Sequence, residues 1–507
     1  MPDAIDLTRR RLLFSATSTM ALTACGGGSG GSAMMQTPPL GAALSSTPLS
    51  QIDSGTIVPA ASAWPVLPSL ANTSPLAGEF TSVLTAAATT VNFVPGVATQ
   101  ILAYNGTTPG PVIDIFEGDR VAITFQNQLE SDSTVHWHGL PIPASQDGNP
   151  MDPVVPGATR VYDFTLPLGS AGTYWYHPHP HQTTAEQVFK GLAGIFLVRS
   201  RVDPLAALPE RTVFITDLKL DANGQIPPNT ATDLRNGREG NQLLVNGARV
   251  PVDSVDPGRT ERWRVFNATN ARYLRLVLDN ATMQVAAHDG CTMTAPVSVS
   301  ELLLAPAQRA EIIVRSTVLA HQKVVLRTVP YNRGAMVPIS PGVTLIELTT
   351  STNPVVPALV PLATLPTLVP IGNPSRTQTV VLSDMGMGTG AMMGGAMGAF
   401  TINGKVFDPL RDDLTMSAGV PEEWIVRNDG MMDHPLHIHG TSFQLKSSNR
   451  LDIGSDPRLG AFMDTVNLQP GEEIRIWLRI DTIGRRMFHC HILEHEAQGM
   501  MGIVNVQ

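Results

Sequence analysis

The stretch Gly118-Asp119-Arg120-Val121-Ala122-Ile123-Thr124-Phe125 alternates apolar and polar residues, then runs through Asn127 and a turn to His136. A period of two marks a strand with one buried face. Glu261-Arg262-Trp263-Arg264-Val265-Phe266-Asn267 and Glu423-Trp424-Ile425-Val426-Arg427-Asn428 repeat the pattern, each after a turn containing Gly or Pro. Three copies predict three related β domains. The length of 507 residues suits that number at ~100–200 residues per domain. Aromatic residues at 5%, charged residues at 15%, and 44 Gly with 41 Pro fit an all-β chain rich in turns.

Aligning the three asparagines gives the repeat chemical content. Nine and eleven residues beyond Asn127 stand His136 and His138, and at the same offsets from Asn428 stand His437 and His439. From Asn267 those offsets give Leu276 and Leu278. Six residues on, the three copies carry Ser133, Tyr273 and His434. The middle domain therefore reads as a spacer without the histidine pairs. A second segment pairs the outer domains: Tyr174-Trp175-Tyr176-His177-Pro178-His179 matches Arg486-Met487-Phe488-His489-Cys490-His491. Both lead to similar closing strands, Gly191-Leu192-Ala193-Gly194-Ile195 and Gly499-Met500-Met501-Gly502-Ile503.

Residues i and i+2 of a strand share a face, so each His-x-His pair presents two imidazoles side by side. Four such pairs give eight imidazoles, and packing the first domain against the third would surround a metal cluster with them. Without metal, eight buried neutral histidines would be hard to satisfy. The remaining set, His434, Cys490, His495 and Met500, matches a His2Cys copper site with a weak axial methionine. Only Cys25, Cys291 and Cys490 are present, which excludes a disulfide framework. Cys291 reads as an inert buried thiol.

Through His136-Trp137-His138-Gly139, His177-Pro178-His179, His434-Pro435-Leu436-His437-Ile438-His439 and the block from His489 to Met500, the chain resembles the multicopper oxidases over roughly residues 80 to 507. The resemblance implies three cupredoxin-like Greek-key β-barrel domains, at 78–200, 205–350 and 375–507, with a Pro-rich connector at 353–374. It implies four copper ions as cofactors. His434, Cys490, His495 and Met500 would hold type 1 copper, and His136 and His437 type 2 copper. His138, His177, His179, His439, His489 and His491 would hold the type 3 pair. His181, which extends the His177-Pro178-His179 motif, departs from the family pattern and is read as lying outside the ligand set. His288 and His321 match no ligand position.

The implied activity couples one-electron oxidation of a substrate at type 1 copper to four-electron reduction of dioxygen to water. Cys490 would carry electrons to His489 and His491, and Asp147 and Glu496 match the family's acidic residues beside the cluster, read as proton relays. The alternative for both is an ordinary solvated carboxylate. Met500 as axial residue implies a lower type 1 potential than Leu or Phe would give.

The substrate clue is the run after Asp384, with five methionines in the thirteen residues from Met385 to Met397. Thioethers favour Cu(I), and the run resembles the Met-rich insert of copper-efflux oxidases. Asp384, Met385, Met387, Met431, Met432 and Asp433 are candidate ligands for a substrate copper, and the expected activity is a cuprous oxidase in copper tolerance. A laccase-like oxidase of phenols or other metal ions, and a copper-sequestering envelope protein, are the alternatives.

The net charge of -9, with no basic stripe, argues against a nucleic-acid partner. Arg9-Arg10-Arg11 followed by an apolar stretch through Leu22 is too short to span a bilayer. It resembles a twin-arginine signal, and Leu22-Thr23-Ala24-Cys25 resembles a lipoprotein box. An ordinary secretory signal is the alternative. Export to the periplasm or cell envelope is expected, with residues 26–77 as a linker, possible lipid attachment at Cys25, and a monomeric chain.

Overall fold

In a computed structural model of the chain, each repeated strand occupies the same place in its own sheet. The structure describes residues 56–334, 337–357, 365, 369–384, 400–450 and 458–507, all within one compact unit, Thr37–Gln507. The repeats are the strands Arg120–Gln128, Thr260–Asn267 and Glu422–Asn428. Each runs parallel to the strand that opens its domain: Glu79–Val94, Glu210–Leu218 or Arg376–Ser383. Each also runs antiparallel to a later strand: Thr159–Thr165, Arg309–Ser316 or Glu473–Leu478. Each of these three sheets faces a second sheet across an apolar core, giving six sheets and three cupredoxin-like domains.

The repeated asparagines explain why the pattern recurs. Asn127 donates from Nδ2 to the carbonyls of Ser131 (2.9 Å) and Val154 (2.7 Å). Asn267 does the same to Arg272 and Leu304, and Asn428 to Met432 and Leu468. Each side-chain oxygen accepts a backbone N–H two residues on, from Leu129, Thr269 or Gly430. A buried amide that satisfies three backbone groups fixes the turn. That turn sets the start of the next strand, where the outer domains carry histidine.

The ligand-bearing strands keep one register. His136 lies opposite His177 where His136–His138 pairs with Gly172–His177. His437 lies opposite His489 where His434–Ile438 pairs with Gly484–Cys490. In the middle domain Leu276 and Leu278 are buried in its own core.

The first domain meets the second through an apolar patch around Trp175, Ile195, Phe214 and Phe266, and through buried charge. Glu311 accepts from Arg262, Arg264 and Thr173. Burial alone would raise the Glu311 carboxyl, but Arg264 and Arg262 hold it down at about 2.

One boundary differs from expectation. Residues 56–77, predicted as linker, are built into the fold. Val58 and Leu70 are buried, Ala60 bridges to Arg249 and Ser69 to Val112. Their apolar side chains find neighbours that a composition reading cannot see. The signal, the lipoprotein box and the linker through residue 55 lie outside the described residues, as does the methionine run from Met385 to Met397. Among the described residues no helix is long and apolar enough to cross a membrane.

Replacing Asn267 by Ala should lower stability by about 2–4 kcal/mol, because four hydrogen bonds are lost and buried backbone groups are left unpaired. Denaturant unfolding checks this, and an unchanged midpoint would contradict the role given to the amide.

Candidate metal centre

Eight imidazoles converge where the first and third domains meet, and all eight residues are fully buried. His136 stacks on His439 with centroids 3.8 Å apart, and His138 stacks on His437 at the same distance. The two His-x-His motifs therefore interlock crosswise. Two triads form from ring nitrogens lying within 4.8 Å of one another: His138, His177 and His491, and His179, His439 and His489. His136 and His437 meet beside them, in a third group that shares His138.

Most of these rings are anchored on one side and open on the other. His136 Nδ1 donates to the carbonyl of Asp147 (3.0 Å), His177 Nδ1 to Pro178, His437 Nδ1 to Asp464 and His489 Nδ1 to Cys490. The Nε2 atoms of His136, His177 and His437 have no partner among the described residues, nor has Nδ1 of His138. His179 and His439 bring Nε2 to 3.2 and 3.1 Å from Nε2 of His489. A metal held ~2.0–2.1 Å from each nitrogen would space them at roughly 3.3 Å. Burial pushes His138, His177, His179, His437, His439, His489 and His491 down, leaving neutral rings with lone pairs to offer. An anchored outer N–H with an unpartnered inner nitrogen is the arrangement of metal-binding histidine, so the residues fit copper.

A second group lies wholly in the third domain. Cys490 Sγ is 3.5 Å from His434 Nδ1 and 3.9 Å from His495 Nδ1, all buried. His495 sits on the short helix Leu493–Ala497, its ring stacked on Phe400 at 4.0 Å and its Nε2 donating to the Arg235 carbonyl. Met500 is buried in the same core as Cys490, and its carbonyl accepts the Cys490 N–H. Cys490 closes the strand Gly484–Cys490, so its chain neighbours His489 and His491 enter the two triads directly.

The acidic residues are not solvated: Asp147 and Glu496 are fully buried. Asp147 bridges two rings, with Oδ1 3.1 Å from His136 Nδ1 and Oδ2 3.1 Å from His439 Nδ1. Glu496 Oε1 lies 3.7 Å from His179 Nδ1, and burial pushes its carboxyl up to about 8. The candidates near His434 separate. Asp384 Oδ2 is 3.6 Å from His434 Nε2, and its carboxylate accepts the N–H of Met431, which is 45% exposed. Met432 is buried. Asp433 is buried too and accepts from Tyr331 and Asn467, inside the protein and not at an entrance. A lone acid next to a ligand in sequence does not reveal which way it turns.

His181 is half-buried, packs on Phe407 at 5.0 Å, and belongs to none of the ligand groups. Cys291 donates to Ser442, and burial pushes its thiol up to about 12. Sequence reasoning missed Asp464, whose Oδ1 accepts from His138 Nε2 at 3.1 Å, and Thr465 beside it. An acid inside the apolar run Phe462-Met463-Asp464-Thr465-Val466 was the available signal. It also missed Trp175, whose ring lies 4.4 Å from that of His177.

Family models described as multicopper oxidase match residues 85–203, 211–323 and 376–507. A multicopper oxidase of Staphylococcus aureus is 32% identical over 429 residues, 82% of this chain and 86% of that protein. The cell division protein FtsP of Escherichia coli is 32% identical over 373 residues, 71% of this chain and 75% of that protein. A solved multicopper oxidase from Campylobacter jejuni, described as a metallo-oxidase, superposes with a TM-score of 0.80 at 37% identity, covering 94% of this chain and all of that one. With that similarity and these buried histidine clusters, the chain belongs to the multicopper oxidase family and is a copper-dependent oxidoreductase that uses dioxygen.

Proposed function

We propose that ten histidines and Cys490 hold four copper ions: type 1 at His434, Cys490, His495 and Met500, type 2 at His136 and His437, and a type 3 pair in the two triads. The observation that carries this is the grouping of buried ligand atoms into separate sets, His434, Cys490 and His495 in one and the eight cage histidines in the others. Bound there, copper would accept electrons singly from a reducing substrate and deliver four to dioxygen, forming water. The chain's own part is to bury the groups, hold the rings and admit protons. Cys490 links the single site to both triads through one peptide bond on either side. Asp147 touches rings from both domains and Glu496 approaches His179, so both stand where protons must arrive.

The proposed substrate is the cuprous ion. Support comes from Asp384 and Met431, which place a carboxylate and an exposed thioether residue beside His434, and from the methionine run that begins one residue after Asp384. The Campylobacter jejuni relative is itself described as a metallo-oxidase. Phenols or other metal ions remain the second reading, favoured by the relation to a Pediococcus acidilactici structure described as a laccase. The chain is proposed to be exported by its twin-arginine-like signal to the periplasm or envelope, tethered by lipid at Cys25, and monomeric.

Changing Cys490 to Ser should abolish the blue absorption and substrate oxidation while the folded chain keeps copper in the histidine cage. Retained oxidation would overturn the electron route. Asp147→Asn should slow turnover by about 10–100-fold, and undiminished oxygen uptake would remove its role. Deleting residues 385–397 should depress oxygen uptake driven by Cu(I) far more than uptake driven by a phenol. Equal kinetics with Cu(I) before and after deletion would sink the cuprous reading.

A further inference from the structure

Among the described residues the middle domain supplies no member of the ligand groups, yet it reaches the cage through one guanidinium. Arg309, at the start of the strand Arg309–Ser316, is 1% exposed and touches all three domains. Its Nη1 and Nη2 donate to Oδ1 and Oδ2 of Asp464 in the third domain, at 2.8 and 2.7 Å. Its Nε donates to the carbonyl of Thr173 in the first domain, at 3.1 Å, and Nη1 also donates to Ala307 in its own.

Asp289 makes the contact reciprocal. Its Oδ1 accepts the Arg309 backbone N–H at 2.9 Å, and its Oδ2 accepts the backbone N–H groups of Asp464 and Thr465 at 2.9 and 3.1 Å. The second domain thus grips Asp464 from both ends, by carboxylate and by backbone.

Asp464 holds one ring from each outer domain. His437 Nδ1 donates to its carbonyl at 2.8 Å, and His138 Nε2 donates to its Oδ1 at 3.1 Å. Thr465 Oγ1 donates to the same Oδ1 at 2.9 Å. Gly139, next to His138, has φ +86, and a Cβ there would collide with the Asp464 carboxylate and the Arg309 guanidinium. The close approach of the His-x-His strand to the clasp therefore requires glycine.

We infer that Arg309 is a positioning residue of the second domain, which through Asp464 sets the orientation of His437 and His138 and so the retention of the type 2 copper. The inference rests on reading the cage as a trinuclear copper site. A bidentate guanidinium fixes both the place and the plane of a carboxylate. That carboxylate and its carbonyl fix which ring nitrogen keeps its proton and where the other points. Without Arg309, the Asp464 carboxylate keeps only Thr465 Oγ1 and His138 Nε2, both on Oδ1, and loses the bidentate hold on its plane, in a site where His437 is one of only two type 2 ligands. The type 1 group makes no contact with this clasp.

The test compares purified, copper-loaded wild type with Arg309→Met, Arg309→Lys, Gly139→Ala and, as a control, Arg262→Met, which breaks a buried pair with Glu311 inside the second domain, away from the ligands. Copper per chain, the type 2 paramagnetic resonance signal and the blue type 1 band are measured on each. Arg309→Met is expected to bind type 2 copper ~10–100-fold more weakly, with its type 1 band intact. Arg309→Lys should recover part of the loss. Gly139→Ala should reproduce it, and it decides the matter if Arg309→Met fails to fold. Arg262→Met should keep the wild-type signal. A wild-type type 2 signal and stoichiometry in Arg309→Met and Gly139→Ala would overturn the inference, as would an equal loss in Arg262→Met. A wild-type chain with no type 2 signal would overturn the copper reading itself.

Discussion

The stacking of two His-x-His strands, one from each outer domain, is the constraint on which the rest of the molecule depends. His136 on His439 and His138 on His437 bring eight buried rings together, with inner nitrogens of His136, His138, His177 and His437 left without a partner among the described residues and those of His179, His439 and His489 turned on one another. Burying unpaired nitrogen is unfavourable. The arrangement makes physical sense as a receptacle for metal, since a cation converts each unpartnered lone pair into a bond. Everything outside the cage then serves alignment. The asparagines fix the turns into the ligand strands, the paired registers face His136 to His177 and His437 to His489, and buried carboxylates anchor the outer nitrogens.

The middle domain has a part that its lack of histidine ligands conceals. Where its neighbours carry the histidine pairs it carries Leu276 and Leu278, which fill its own core. Its contribution is made at the edges, through Glu311 and Arg264 on Thr173 of the first domain and through Arg309 and Asp289 on Asp464 of the third. Burial pushes the Asp289 carboxyl up, and the neighbouring Asp464 adds to that. Asp464 itself would be raised by burial, but Arg309 and His437 hold it well below the usual carboxylate range. A spacer defined by what it lacks becomes the element that locks two half-sites together.

The fold and the ligand groups were legible because both are written as periodic local patterns. A strand shows its period within eight residues, and a His-x-His pair shows its shared face within three. Equal offsets from Asn127 and Asn428 are enough to bring the ligands of two domains into register. Arg309, Asp289 and Asp464 were not legible. They meet across 155 and 175 residues of chain, and each on its own is an unremarked charge. The inward turn of Asp433 was hidden for the same reason, since its neighbours Tyr331 and Asn467 come from distant parts of the chain. That residues 56–77 belong to the fold was hidden because a Pro-rich segment has no periodicity of its own, although Val58 and Leu70 are buried.

One cysteine-centred site and one three-copper cage are proposed to share this chain. The most direct measurement is the copper content of the purified, oxidised protein, taken together with its spin-counted paramagnetic resonance spectrum. Four coppers per chain are expected, half of them detected by resonance as one type 1 and one type 2 signal, because the type 3 pair would be silent through coupling. A protein that binds a single blue copper, or whose bound copper is all visible to resonance, would contradict it.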